Sequence, residues 1–284
     1  MASGRQNFSY HAGMQFNPIK QPTLRAIQYV PVVLLCLGSV GLVGLQNRPI
    51  GLGILAAGLI SLALLPRIFA RNLALLYGAV ALLGFTPINT DIGNTHLLLM
   101  GVPLILTVAV PYIISRYGYG DYLVRFPFHH GRRWFRSELA YILVSAVVAY
   151  LFLPFYFAQT GAYLNWTVEP GFNNLARLFV GTNVLAIWDE LFFVSVCLGV
   201  LRVFMPFRWA NIAQAVLWTS FLYELGFKSW GIVMVFLLAL LQGYIFNRTD
   251  SLLYVITIHL VIDLFLFLAL IHAYHPDWMP IFVN

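Results

Sequence analysis

From residue 26 onward the chain is a succession of long apolar runs broken by short polar or basic stretches. The runs are Ile27–Leu45, Gly51–Leu65, Asn72–Phe85, Leu97–Ser115, Leu139–Phe157, Leu175–Met205, Asn211–Phe227, Trp230–Phe246 and Leu252–Ala273. A helix needs about 20 apolar residues, within a range of about 17–25, to cross the hydrocarbon core of a bilayer. No water is present there to satisfy backbone groups, so such runs fold as helices that close their own hydrogen bonds. The expected fold is therefore all-α: a polytopic transmembrane helix bundle. The second and third runs are short, with Pro66 and Arg67 between them. They form a tight helical pair or one re-entrant element, which sets the count at eight or nine spans.

Charge supports the same reading. Only 9% of the residues are charged and 61% are hydrophobic, against about 25% charged in a soluble domain. With nine spans and the N-terminus in the cytoplasm, every Lys and Arg except Arg48, Arg177 and Lys228 falls on the cytoplasmic side, as the positive-inside rule expects. The net charge of +6 is thus a topology signal, and no nucleic-acid partner is expected. Residues 1–25 read as a cytoplasmic N-terminal arm and residues 26–284 as a single membrane domain. The loop 116–136, rich in Arg and aromatic residues, is either a topology determinant or a surface for anionic headgroups. Cys36 and Cys197 lie inside apolar runs and read as small core residues.

Four of the ten acidic residues, Asp189, Glu190, Glu224 and Asp263, fall within spans, together with His259. A charge at the bilayer centre costs about 2.5–3.5 kcal/mol on insertion scales, so a group of them marks a site or pathway facing the bundle interior. His259 and Asp263 are four residues apart and share a helix face. The carboxylate can fix the imidazole tautomer and leave the other ring nitrogen for a substrate. Asp189 and Glu190 are consecutive, about 100° apart on a helix, so one faces a cavity while the other supports it. Two carboxyls in different environments make an acid/base couple. Each has a structural alternative: a helix break for Asp189–Glu190, a hydrogen-bonded pair for His259–Asp263, and an interfacial ion pair with Lys228 for Glu224.

These residues resemble the motifs of the CAAX prenyl endopeptidase and bacteriocin-processing family (CPBP, or Abi), glutamate-dependent intramembrane proteases, of which this chain looks like a divergent member. That family carries Glu-Glu-x-x-x-Arg in one span, Phe-x-x-x-His in the next and His-x-x-x-Asn/Asp near the end. Here the first is Asp189-Glu190-Leu191-Phe192-Phe193-Val194, with Val194 at the Arg position one turn from Glu190. The last is intact as His259-Leu260-Val261-Ile262-Asp263. The middle motif reads Phe221-Leu222-Tyr223-Glu224-Leu225. Leu225 takes the His position, or Glu224 does after a slip of one residue. The resemblance covers about residues 139–273.

The resemblance implies hydrolysis of a membrane-embedded protein or peptide substrate, one that is membrane-anchored or carries a C-terminal tag. Asp189 or Glu190 deprotonates a water, His259 with Asp263 orients it or stabilises the oxyanion, and Glu224 completes the set if it replaces the middle His. The family is described as needing no bound zinc, so no cofactor is expected, although a Glu/Glu/His/Asp set is able to hold a divalent metal. The expected location is a bacterial inner (plasma) membrane, with the chain integral and multi-pass. Two other readings stand beside it: a non-catalytic, partner-binding or immunity protein of the same family, and a proton-coupled transporter using the buried acids as a relay.

Overall fold

The computed structural model describes residues 24–128 and 133–282. Nearly all of the N-terminal arm, and His129, His130 and Arg132 of the basic loop, lie outside the described residues. Among the described residues there is no strand, and the chain forms nine helical rods. These are α1 (Ala26–Gly44), α2 (Arg48–Leu64), α3 (Arg67–Phe85), α4 (Asn94–Tyr119), α5 (Arg136–Thr160), α6 (Phe172–Phe204), α7 (Phe207–Glu224), α8 (Gly231–Thr249) and α9 (Leu252–Tyr274). Seven of them are long and apolar enough to cross a membrane. The other two are α2, which is short, and α7, which carries Arg208, Asn211, Gln214 and Glu224. The chain is an all-α polytopic membrane protein.

The rods begin and end where local chemistry dictates. Asn47 caps α2 by accepting the Ile50 N–H at 3.2 Å. Pro66 precedes α3 and Pro206 precedes α7, where a missing N–H costs nothing because the first helical turn leaves its donors unpaired. The third rod consequently starts at Arg67, five residues before the apolar run does, and reaches 19 residues. Gly161 ends α5 in the left-handed region at φ 65°, which glycine adopts without a steric penalty. Ser251 caps α9 through the Tyr254 N–H.

Helix α6 is the centre of the bundle: 78% of its most apolar stretch is buried, against 22–56% in the other long apolar helices. Its 33 residues would measure about 50 Å at the α-helical rise of about 1.5 Å per residue. Residues Glu190–Leu198 of this helix are π-helical, as are the shorter stretches Val40–Gly44 and Ile114–Tyr119; π-turns inside α-helices are frequent at functional sites. Trp188 ties α6 to α4, donating its indole N–H to the Leu104 carbonyl at 2.7 Å. Helix α7 is pinned to α8 by amides: Asn211 donates to Leu240 O and Gln214 to Ala239 O, each at 2.8 Å. Gly243 of α8 lies against these two side chains, and a Cβ there would collide with them.

The loop after α4 is anchored rather than free. Asp121 accepts hydrogen bonds from Ser115 Oγ at 2.6 Å, Asn72 Nδ2 at 2.8 Å and Arg71 Nη2 at 3.0 Å. Further on, the Pro127 and Phe128 carbonyls receive the Leu252 and Leu253 N–H groups at the start of α9.

Candidate functional site

The centre of the site is the junction between the α-helical and π-helical parts of α6, where Asp189 and Glu190 are both buried. Glu190 is fully enclosed, and its Oε1 accepts the Gln242 side-chain N–H from α8 at 2.8 Å. The same oxygen lies 3.1 Å from His259 Nδ1 on α9. Helices α6, α8 and α9 are thus joined at one carboxylate oxygen. His259 Nε2 lies on the other side of the ring, 3.8 Å from Asp263 Oδ1, an electrostatic contact longer than a hydrogen bond. The spacing of four residues does place both side chains together.

Trp218 of α7 covers this group. It is buried, and its ring centroid lies 5.5 Å from that of His259. Trp218 Nε1 and Asp189 Oδ1 are both buried without a direct partner. Glu190 Oε2, Gln242 Oε1 and Ser195 Oγ share that condition. Buried polar groups in native proteins are overwhelmingly hydrogen-bonded to protein or water, so a group of unpartnered donors and acceptors is suited to receive a polar reactant.

A cavity of about 610 Å³ adjoins the group, with Asp189, His259 and Asp263 in its wall. The rest of the lining is largely apolar, and Glu190 is not part of it. Val144, Val148 and Phe152 of α5 and Val233, Leu237 and Leu241 of α8 line the cavity while remaining exposed on the bundle surface. The cavity therefore opens sideways between α5 and α8, at a height where an embedded helix meets lipid.

The sequence-based expectations fare differently. Asp189, Glu190, His259 and Asp263 come together. Glu224 does not join them: it accepts the Gln46 side-chain N–H at 2.7 Å, at the turn between α1 and α2. Its neighbours Leu222 and Leu225 line the cavity instead. Gln242 and Trp218 were not anticipated. Gln242 was legible as a polar residue inside an apolar run; Trp218 had no signal beyond being aromatic. Val194 and Ser195 both lie in the π-helical segment that begins at Glu190, and Ser195 is its one hydroxyl side chain. Among the described residues no three His, Cys, Asp or Glu side chains are gathered in a way that would hold a metal ion.

No curated protein and no solved structure matches the chain. Residues 171–265, from the start of α6 to the middle of α9, match the family model described as type II CAAX prenyl endopeptidase Rce1-like. That stretch holds every residue of the buried group, and over it the chain is similar to that family.

Proposed function

We propose that the protein is an intramembrane endopeptidase in which Asp189 faces the substrate and Glu190 positions His259. The observation that carries this reading is the division of the two adjacent carboxylates. Asp189 lies in the cavity wall with an unpartnered oxygen, whereas Glu190 is enclosed and held by Gln242 and His259. A base must reach the proton it removes, directly or through one water, and of the two adjacent carboxylates only Asp189 lines the cavity.

The chemistry follows from these positions. Asp189 takes a proton from water as the oxygen attacks the scissile carbonyl carbon. Glu190 accepts the His259 Nδ1–H and so directs Nε2 toward the reacting group. With Nε2 protonated, His259 and the Trp218 indole N–H supply donors to the oxyanion, the kind of stabilisation that dominates acyl transfer. The C–N bond then breaks as the proton held by Asp189 passes to the leaving amine. Water and a peptide become a new carboxylate end and a free amine, with no electron transfer.

The side opening between α5 and α8 fits a substrate that arrives within the bilayer, on a lipid anchor or a membrane-spanning tail. The test is a cleavage assay with the full-length protein in liposomes. Peptides carrying a C-terminal isoprenyl or acyl anchor, or a transmembrane tail, are incubated with it, and the released fragments are read by mass spectrometry. Cleavage by the wild type that is absent in Asp189→Asn supports the reading. Failure to release any fragment, or equal release by both proteins, refutes it.

A further inference from the structure

We propose that a second cavity, the slot between α4 and α6, binds one phospholipid of the surrounding bilayer, with its phosphate at Arg177 and one acyl chain running down to Trp188. The slot measures about 680 Å³, within the roughly 300–1,000 Å³ of small-molecule sites. Along α6 it extends from Arg177 to Trp188, about 16 Å at the helical rise of ~1.5 Å per residue. One leaflet of the ~30 Å hydrocarbon core is about as deep. The walls are apolar, including Met100, Leu104 and Val184, and Trp188 closes the floor through its bonds to Leu104 O and Thr107 Oγ1.

Two glycines face the slot, Gly101 on α4 and Gly181 on α6. A Cβ at either would meet nothing within 4 Å. Glycine in a helix interior costs about 0.5–1 kcal/mol relative to alanine. Close packing between helices would justify that cost, but no atom approaches either position. Here the missing side chains keep space open.

The mouth is polar, and its polarity is unspent. Arg177 is exposed and has no ion pair or hydrogen bond among the described residues. His96 is 92% buried in the wall, and its Nε2 has no partner. Asp91 uses Oδ1 to accept the Gly93 N–H at 2.7 Å and forms no ion pair among the described residues. An apolar slot one leaflet deep, with a cation, an imidazole and a carboxylate at its rim, is complementary to a glycerophospholipid. The phosphate pairs with Arg177 and a glycerol ester oxygen reaches His96. Asp91 favours a headgroup bearing an ammonium, such as ethanolamine. This inference is independent of the proteolytic reading.

The experiment uses the full-length protein in detergent. Dioleoyl phosphatidylethanolamine or dioleoylglycerol is titrated in, and retained lipid is counted by native mass spectrometry. One phosphatidylethanolamine is expected per chain, held at least about fivefold more tightly than the phosphate-free lipid, the effect of one basic residue on a headgroup. Arg177→Gln should erase that preference. Gly101→Phe and Gly181→Phe should remove the bound lipid while the protein stays monodisperse. Retention unchanged in both phenylalanine variants overturns the slot. Equal affinity of the wild type for the two lipids overturns the headgroup site. If the phenylalanine variants fail to fold, Arg177→Gln decides: it alters only an exposed side chain, and retention of the preference by that variant overturns the proposal.

Discussion

The division of labour between Asp189 and Glu190 predicts unequal costs for two isosteric changes. Asp189→Asn removes the carboxylate of the adjacent pair that lies in the cavity wall with an unpartnered oxygen, and an amide cannot take the proton of water. Loss of a general base costs about 10²–10⁴ in rate, so kcat should fall by that factor while KM, set by the apolar cavity, stays constant. Glu190→Gln behaves differently. Oε1 accepts both bonds to Glu190, from Gln242 at 2.8 Å and His259 at 3.1 Å, and an amide oxygen can accept both as well. What disappears is the added strength of a charged acceptor. Hydrogen bonds to charged groups contribute ~1.5–3 kcal/mol against ~0.5–1.5 for neutral ones. Only the His259 bond orients a reacting group, so the loss is about 1–1.5 kcal/mol, roughly tenfold in kcat. Stability should hold, because burying an amide is less costly than burying a carboxylate. The assay is fragment release in liposomes, with thermal unfolding of the detergent-solubilised variants as control. A larger loss in Glu190→Gln than in Asp189→Asn would refute the assignment. Cleavage undiminished in both would refute hydrolysis at this site altogether.

Three further outcomes follow from the same geometry. Trp218→Phe keeps the ring beside His259 and deletes only the indole N–H; kcat should fall by about 10²–10³ with KM unchanged, as for other oxyanion donors, and an unchanged kcat would remove Trp218 from the mechanism. Glu224→Gln retains the acceptor for Gln46 and lies apart from the buried group, so cleavage should change by no more than about twofold, the ~0.5 kcal/mol typical of substitutions away from a site; abolished cleavage would restore Glu224 to the chemistry. Burial pushes the Asp121 carboxyl up, but hydrogen bonds from Ser115, Asn72, Arg71 and the Leu123 N–H outweigh it and hold the group below the ordinary carboxylate range. A lowered folded value stabilises the fold above that range, and the contribution is lost as pH falls through the folded value. The unfolding midpoint of the wild type should therefore drop as pH is lowered below about 4, and Asp121→Asn should flatten that dependence; parallel pH profiles would show that Asp121 contributes nothing.

The features legible in the sequence were those with a large desolvation cost. Apolar runs of membrane length can only be helices, and the rods follow them to within a few residues. The main deviation, at the start of α3, arose because Pro66 nucleates a helix turn that Arg67 and Arg71 made look like a loop. Ionisable residues inside a span are costly enough to announce themselves, and four of the five converge. Glu224 misled because a motif permits a one-residue slip that a helix face does not: Leu222 and Leu225 point to the cavity, and the intervening Glu224 reaches the membrane-end turn at Gln46. Gln242 and Trp218 escaped because neutral polar groups cost less to bury and stand out less, although they complete the environment of the two carboxylates. The position of Val194 shows a deeper limit. Counting one turn as four residues presumes an α-helix, and the segment after Asp189 is π-helical, with each N–H bonded to the carbonyl five residues back. The wider turn rotates every later residue of α6 relative to Asp189, so a face assigned by α-helical counting does not carry over to this segment. A divergent motif on an altered helix can therefore preserve a polar site that residue counting reads as degraded.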